Sequence, residues 1–215
     1  RRPPRSTLFP YTTLFRSLVV LVVAGFVVYK YAIKKEDKAD KSPTANALAV
    51  SAHSDAFNQS IKNILDAYYA MADGFVQWDS SLVNKNAVSL HAALEGLDLE
   101  ELKQDTLIYE TVTMPLENAK ASVAAISEVD DWDTKRKQLQ DLSENLRMLL
   151  ITIKYDQGTV YWQECPMAFE DGRVGNWLSK EEKIANPYLG NQHPKYGATM
   201  IDCGETKETI NFAEN

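Results

Sequence analysis

The sequence predicts a mainly α fold, an antiparallel four-helix bundle with a small irregular C-terminal lobe containing short strands. Between residues 53 and 156, apolar residues recur at three- and four-residue steps in four separate stripes joined by short connections. Beyond Gln157-Gly158 that period stops, and a β-prone run leads into text rich in Gly and Pro. The roughly 160 residues involved are enough for one domain with its own core.

Residues 1–17 precede that domain and are set aside. The run from Thr7 to Ser17 resembles one reading frame of a sequencing-library adapter, so nothing about the fold is inferred from it. Residues 18–33 open with an unbroken apolar run, Leu18 to Val28, followed by Tyr29, Lys30 and Tyr31. A spanning helix needs about 20 apolar residues and a signal-peptide core about 7–15. The run lies between the two. Interfacial tyrosines, a lysine able to snorkel and the lack of a nearby small-residue cleavage site favour a retained membrane anchor over a cleaved signal. Lys34 and Lys35, taken alone, would place the following residues on the cytoplasmic side. Residues 34–52 are rich in Lys, Asp, Ser, Ala and Pro without apolar period, which marks a solvated linker.

The helical part, residues 53–156, begins with Phe57, Ile61, Ile64, Tyr68, Met71 and Phe75 as one stripe, with Ser54 or Asp55 as its cap. A second stripe runs through Val83, Ala87, Leu90, Leu94 and Leu97. The third uses Leu116, Ala119, Val123, Ile126 and Val129, and Pro115 suits the first turn of that helix. The fourth follows Asp130-Asp131, whose charges complement a helix N-terminus, and carries Trp132, Leu139, Leu142, Leu146, Leu149 and Ile153. In the lobe, residues 157–215, Thr159 to Gln163 reads as a strand, Glu208 to Phe212 as a closing strand, and Trp162 and Trp177 as anchors packing the lobe onto the helices.

Charge and motifs narrow the function. The chain has 23 Lys+Arg against 30 Asp+Glu; without Arg1, Arg2, Arg5 and Arg16 the basic count falls to 19 and the net charge moves from −7 to −11. Such acidity argues against a nucleic-acid partner. No nucleophile elbow, phosphate-cradling Gly loop or His-Glu-x-x-His motif occurs, so no catalytic residues are assigned and an enzyme is not expected.

Both cysteines lie in the last third of the chain, in Cys165-Pro166-Met167-Ala168 and Met200-Ile201-Asp202-Cys203-Gly204, each near one of only five methionines. Thiolates and thioethers together favour copper(I) and similar soft ions. His193 is the one histidine near these sulfurs. Cys165, Met167, His193, Met200 and Cys203 are therefore the candidate metal ligands, with copper(I) or a similar ion as cofactor. Two other readings stay open: a disulfide joining Cys165 to Cys203, 38 positions apart, and buried free thiols with Met167 and Met200 as core residues. His53 and His91 have no Cys, Met or second His beside them and read as structural or solvated.

Tyr161 to Ala168, Trp177-Leu178-Ser179, Asn186-Pro187-Tyr188, Gly190, Met200 and Cys203-Gly204, with Ala124-Ala125-Ile126 and the stretch Trp132 to Leu146 upstream, resemble a bacterial domain-of-unknown-function family, number 3347. Its members occur as exported proteins and beside, or fused to, heavy-metal efflux adaptors of the copper and silver type. The resemblance runs from about His53 to Asn215 and implies a helical bundle with a Cys/Met-bearing lobe that handles copper in the periplasm. Cys165-Pro166-Met167 also looks like the start of the short Cys-Pro-Met-His metal modules, but Ala168 stands in the histidine place, against four-ligand zinc-like binding there. The expectation is a periplasmic domain, anchored in the inner membrane, that binds a soft metal for homeostasis or efflux handover. The alternative is an interaction module, stapled by a Cys165–Cys203 disulfide, that docks an efflux adaptor.

Overall fold

Four local signals in the sequence each start a helix. The computed structural model describes residues 52–213, so the readings for residues 1–17, the anchor 18–33 and all but the last residue of the linker 34–52 lie outside the described residues. Helix α1 (Asp55–Gln77) is capped by the Ser54 hydroxyl, which accepts the Phe57 N–H. Helix α2 (Ser80–Glu95) is capped by Asp79 through the Leu82 N–H. A 3-10 turn, Glu100–Gln104, then leads to α3 (Thr106–Glu128), where the Asp105 carboxylate accepts the Leu107 and Ile108 N–H groups. Helix α4 (Trp132–Thr152) is capped by Asp131 through Thr134. Each such cap contributes about 1 kcal/mol by pairing an orphan helix donor.

The third helix corrects one expectation. Pro115 is an interior residue rather than a first-turn one, because Asp105 caps a helix that is already under way from Thr106. Its ring forgoes one backbone bond, a change that costs about 3 kcal/mol in a helix interior. Burial of Val112, Pro115 and Leu116 on one face offsets that cost.

Consecutive helices pack on one another, α1 on α2, α2 on α3 and α3 on α4. The α1–α2 contact is close because Gly74 faces Val83, where an added Cβ would lie 3.0 Å from Val83 Cγ2. The predicted stripes point inward: Phe57, Ile61, Ile64, Tyr68, Met71 and Phe75 are all buried, as are Leu139, Leu142, Leu146 and Leu149. The fully buried Lys135 ammonium on α4 donates to Asn84 Oδ1 on α2 and to the Ile126 carbonyl on α3, so one cation joins three helices. Burial lowers its pKa.

The C-terminal residues form a small antiparallel sheet in the order β2-β1-β3, from β1 (Val160–Cys165), β2 (Gly175–Ser179) and β3 (Glu205–Ile210). Trp162 pairs with Leu178 on one side and Glu208 on the other, and a register shift follows between Trp162 and Gln163. Trp177 is buried, as expected of an anchor, and Arg147 on α4 reaches across to Glu208 on β3 and lies over the Trp162 ring. Among the described residues, no helix is long and apolar enough to cross a membrane.

Tyr68 joins helices to sheet. The Ser143 hydroxyl gives its one proton to the Leu139 carbonyl, so Tyr68 must donate to Ser143 Oγ at 2.7 Å while its oxygen accepts the Leu178 N–H at 3.1 Å. Tyr68→Phe strands that buried N–H and is expected to cost about 1–3 kcal/mol in a denaturant melt. Burial pushes the Tyr68 phenol up from 10.0 to about 12. A raised folded-state pKa stabilises fully below pH 10 and loses that contribution as pH rises towards 12. Wild-type stability should therefore fall through this window by on the order of 3 kcal/mol more than that of Tyr68→Phe, as melts at stepped alkaline pH would read.

Candidate functional site

The two cysteines meet at the end of the sheet. Cys165 closes β1 opposite Gly175 of β2, and the preceding residue, Glu164, pairs with Glu205 of β3. Cys203 reaches the same place because Gly204 takes φ +143° against the β1 backbone. An added Cβ on Gly204 would lie 2.7 Å from the Glu164 carbonyl oxygen and 3.0 Å from Trp177, so only glycine lets the chain pass this closely. The result is a separation of 3.3 Å between Cys165 Sγ and Cys203 Sγ, with both thiols free.

Asn186 holds this turn in place. Its side-chain N–H donates to the Cys203 carbonyl, its backbone N–H to the Ile201 carbonyl, and its side-chain oxygen accepts the N–H groups of Tyr188 and Leu189. A buried amide satisfied on both sides fixes two loops at once. Asn186 and Gly204 belong to the motifs read from the sequence, but nothing in spacing alone showed that they set the thiol geometry.

Cys165 is fully buried, whereas Cys203 is partly exposed. Burial pushes the Cys203 thiol up from 9.0 to about 11, helped by the adjacent Cys165 sulfur and the Asp202 charge. At neutral pH the pair is therefore protonated at Cys203, and any ion bound there must displace a proton.

Two of the other three candidates, Met167 and His193, line a different cavity from this pair. Met167 is 49% exposed and lines a cavity of about 510 Å³ with Arg136, Phe169, His193, Lys195 and Tyr196, and neither cysteine lines it. The His193 ring lies against Trp78 and Tyr196, each with centroids 5.0 Å away. Met200 packs against the core, and its carbonyl accepts the Cys203 N–H. Among the described residues, no three His, Cys, Asp or Glu side chains converge as a metal shell would require, so His193 does not close a shell with the two thiols. Met167 and His193 thus share a cavity that neither cysteine lines, while Met200, partly buried against the core, is joined to Cys203 through its backbone. His53 is structural, as expected, with its ring nitrogens bonded to Glu101 and to the Ile153 carbonyl.

With that geometry in place, the chain can be set against known families. Residues 64–158 match the family described as Protein of unknown function (DUF3347). The Protein of unknown function (DUF3347) match begins within α1 and ends just before β1, so it covers most of the helical part and none of the five candidate ligands. The matched stretch is shorter than the one over which the sequence motifs were read. No curated protein and no solved structure matches the chain.

Proposed function

We propose that this chain is an exported, membrane-anchored protein that takes up copper(I) or silver(I) between the thiols of Cys165 and Cys203 and holds it for buffering or for handover to an efflux adaptor. The observation that carries the reading is the 3.3 Å distance between the two sulfurs. With metal–sulfur bonds of about 2.3 Å, two thiolates on one ion stand about 3.8 Å apart at a tetrahedral angle and about 4.6 Å apart on a line. A disulfide instead requires about 2.05 Å. A two-coordinate ion on a line needs the sulfurs to spread by about 1.3 Å, much the same movement as closing the bond, so the contact serves either outcome and ligand softness is what favours the metal. Two thiolates with few other donors suit copper(I), which accepts low coordination numbers and prefers sulfur.

The helices would serve as an antiparallel four-helix bundle, with Tyr68, Lys135 and Arg147 tying them together and to the sheet. Export and anchoring rest on the apolar run Leu18 to Val28. The efflux context rests on the resemblance of the separated C-terminal motifs.

One observation favours a second reading. Cys165 is fully buried and its nearest sulfur is Cys203, so in an oxidising compartment the pair could lock as a staple in a module that docks an adaptor. Closing that 38-residue span would remove about 4 kcal/mol of unfolded-state entropy in the chain-entropy treatment.

A competition titration of the reduced chain under anaerobic conditions separates metal preference from simple thiol reactivity. Copper(I) should be retained in the presence of excess zinc, because two soft ligands are poorly suited to zinc's four-coordinate shell. Zinc held in preference to copper(I) would overturn the reading.

A further inference from the structure

Two cavities run along α1 where it meets the lobe. The larger, of about 470 Å³, lies between Gln59, Asp66 and Tyr69 of α1 and Tyr155, Gln157 and Thr159 beyond α4. The smaller, of about 170 Å³, continues past Asp73 and Val76 towards Ser179 and Lys183. Tyr69 and Lys180 line both, so the two meet at those residues. The larger volume falls in the range of small-molecule sites.

The charges of the larger cavity cancel. Asp55 and Asp66 stand against Lys62 and Lys180, and Lys62 is already paired with Asp66. What remains is a set of neutral hydrogen-bonding groups. The Tyr69 and Tyr155 hydroxyls have no hydrogen-bond partner among the described residues, although Tyr155 is only 6% exposed. Burial raises the pKa of both phenols, so each keeps its proton and can donate. Thr159 Oγ1 accepts the Asn211 side-chain N–H at 3.2 Å, which leaves the threonine proton for the cavity. The Gln59 and Gln157 amides donate to Asn63 and Asp156, which leaves their oxygens as acceptors.

We propose that these joined cavities bind a neutral oligosaccharide, whose hydroxyls meet the Tyr69, Tyr155 and Thr159 donors and the Gln59 and Gln157 oxygens. A sugar hydroxyl both gives and accepts hydrogen bonds, so it matches a lining that offers donors and acceptors together. A ligand of one charge gains nothing from lining charges that cancel. The Tyr69 and Tyr155 rings, with Leu65 and Val160, offer apolar surface to the C–H faces of a sugar. A peptide cannot be held here by adding a strand to β2, because the outward N–H groups of that strand are taken, Leu178 by the Tyr68 hydroxyl and Asn176 by Gln140 Oε1. Neither cysteine lines either cavity, so the site stands or falls independently of copper binding.

The test is calorimetric titration of the full chain with glucose, with the neutral trisaccharides maltotriose, cellotriose and triacetylchitotriose, with the charged trimers of galacturonate and glucosamine, and with pentaglycine. At least one neutral trisaccharide should bind about tenfold or more tightly than glucose, because it reaches both cavities, and more tightly than either charged trimer or the peptide. Tyr69→Phe and Tyr155→Phe keep the rings and remove only the hydroxyls. Each should weaken that trisaccharide about three- to tenfold and leave the melting temperature unchanged, since these hydroxyls have no partner among the described residues. Five results would each overturn the proposal: no binding of any neutral trisaccharide, glucose bound as tightly as the trimer, a charged trimer or pentaglycine bound as tightly, unchanged binding in both tyrosine variants, or weakening that comes only with a lower melting temperature.

Discussion

Gly175→Ala is expected to destabilise the protein by about 3 kcal/mol, at the upper end of what overpacking costs. A Cβ there would lie 2.4 Å from Ala168 Cβ and 2.8 Å from Tyr188 Cε2, well inside contact distance for atoms that are both buried. Neither neighbour can retreat easily. The Tyr188 backbone N–H is held by Asn186 Oδ1 at 2.8 Å, its carbonyl accepts from Arg136 Nη1 at 3.0 Å, and its hydroxyl lies 2.5 Å from the Asn176 carbonyl oxygen. In a protein of this size such a loss lowers the melting temperature by roughly 10 °C. Gly158→Ala is the control, because the nearest atom to its Cβ is the Tyr155 hydroxyl at 3.8 Å, and its effect should stay within about 0.5 kcal/mol. Equal melts for the two variants would show that β2 does not seat against Tyr188 as described. Since Gly175 is the strand partner of Cys165, the same variant should also weaken metal uptake.

Cys203→Ser should lower copper(I) affinity by more than about 100-fold, beyond the 10–100-fold that changes in supporting residues cost. Cys203 is the better residue to change because it is partly exposed, whereas a serine at the fully buried Cys165 would add the cost of an unpaired hydroxyl. Met167→Leu should leave the affinity nearly unaltered, since Met167 lines the Arg136 cavity rather than the thiol pair. Stability of the reduced Cys203→Ser chain should match wild type within about 1 kcal/mol, which separates loss of a ligand from loss of a staple. If instead the oxidised wild-type chain proves about 4 kcal/mol more stable than Cys203→Ser and neither binds copper(I), the staple reading prevails.

The mainly helical fold was legible because each helix carries both a stripe and a cap. Phe57 to Phe75 announces its buried face by spacing alone, and Asp131 before Trp132 announces a start. The beginning of α3 was missed although Ile108, Tyr109, Val112 and Leu116 carry its stripe through the first turns, because Pro115 looked like a start rather than an interior residue. Cys165 and Cys203 were legible as a pair through their chemistry, but not their contact, which depends on Gly204 passing Glu164 and on Asn186 holding the turn. Met167 stands two residues from Cys165 yet serves a different cavity. Loop spacing counts residues and not the direction in which side chains leave the backbone, which is why Met167 and His193, read from sequence into one ligand set with the thiols, line a cavity that neither thiol lines.

The central claim is that one soft ion bridges Cys165 and Cys203, and copper K-edge X-ray absorption on the copper(I)-loaded chain tests it most directly. The account predicts a copper(I) edge with two sulfur neighbours in the first shell, and loss of that shell in Cys203→Ser. A first shell dominated by nitrogen or oxygen, or a two-sulfur shell that survives Cys203→Ser, would contradict it.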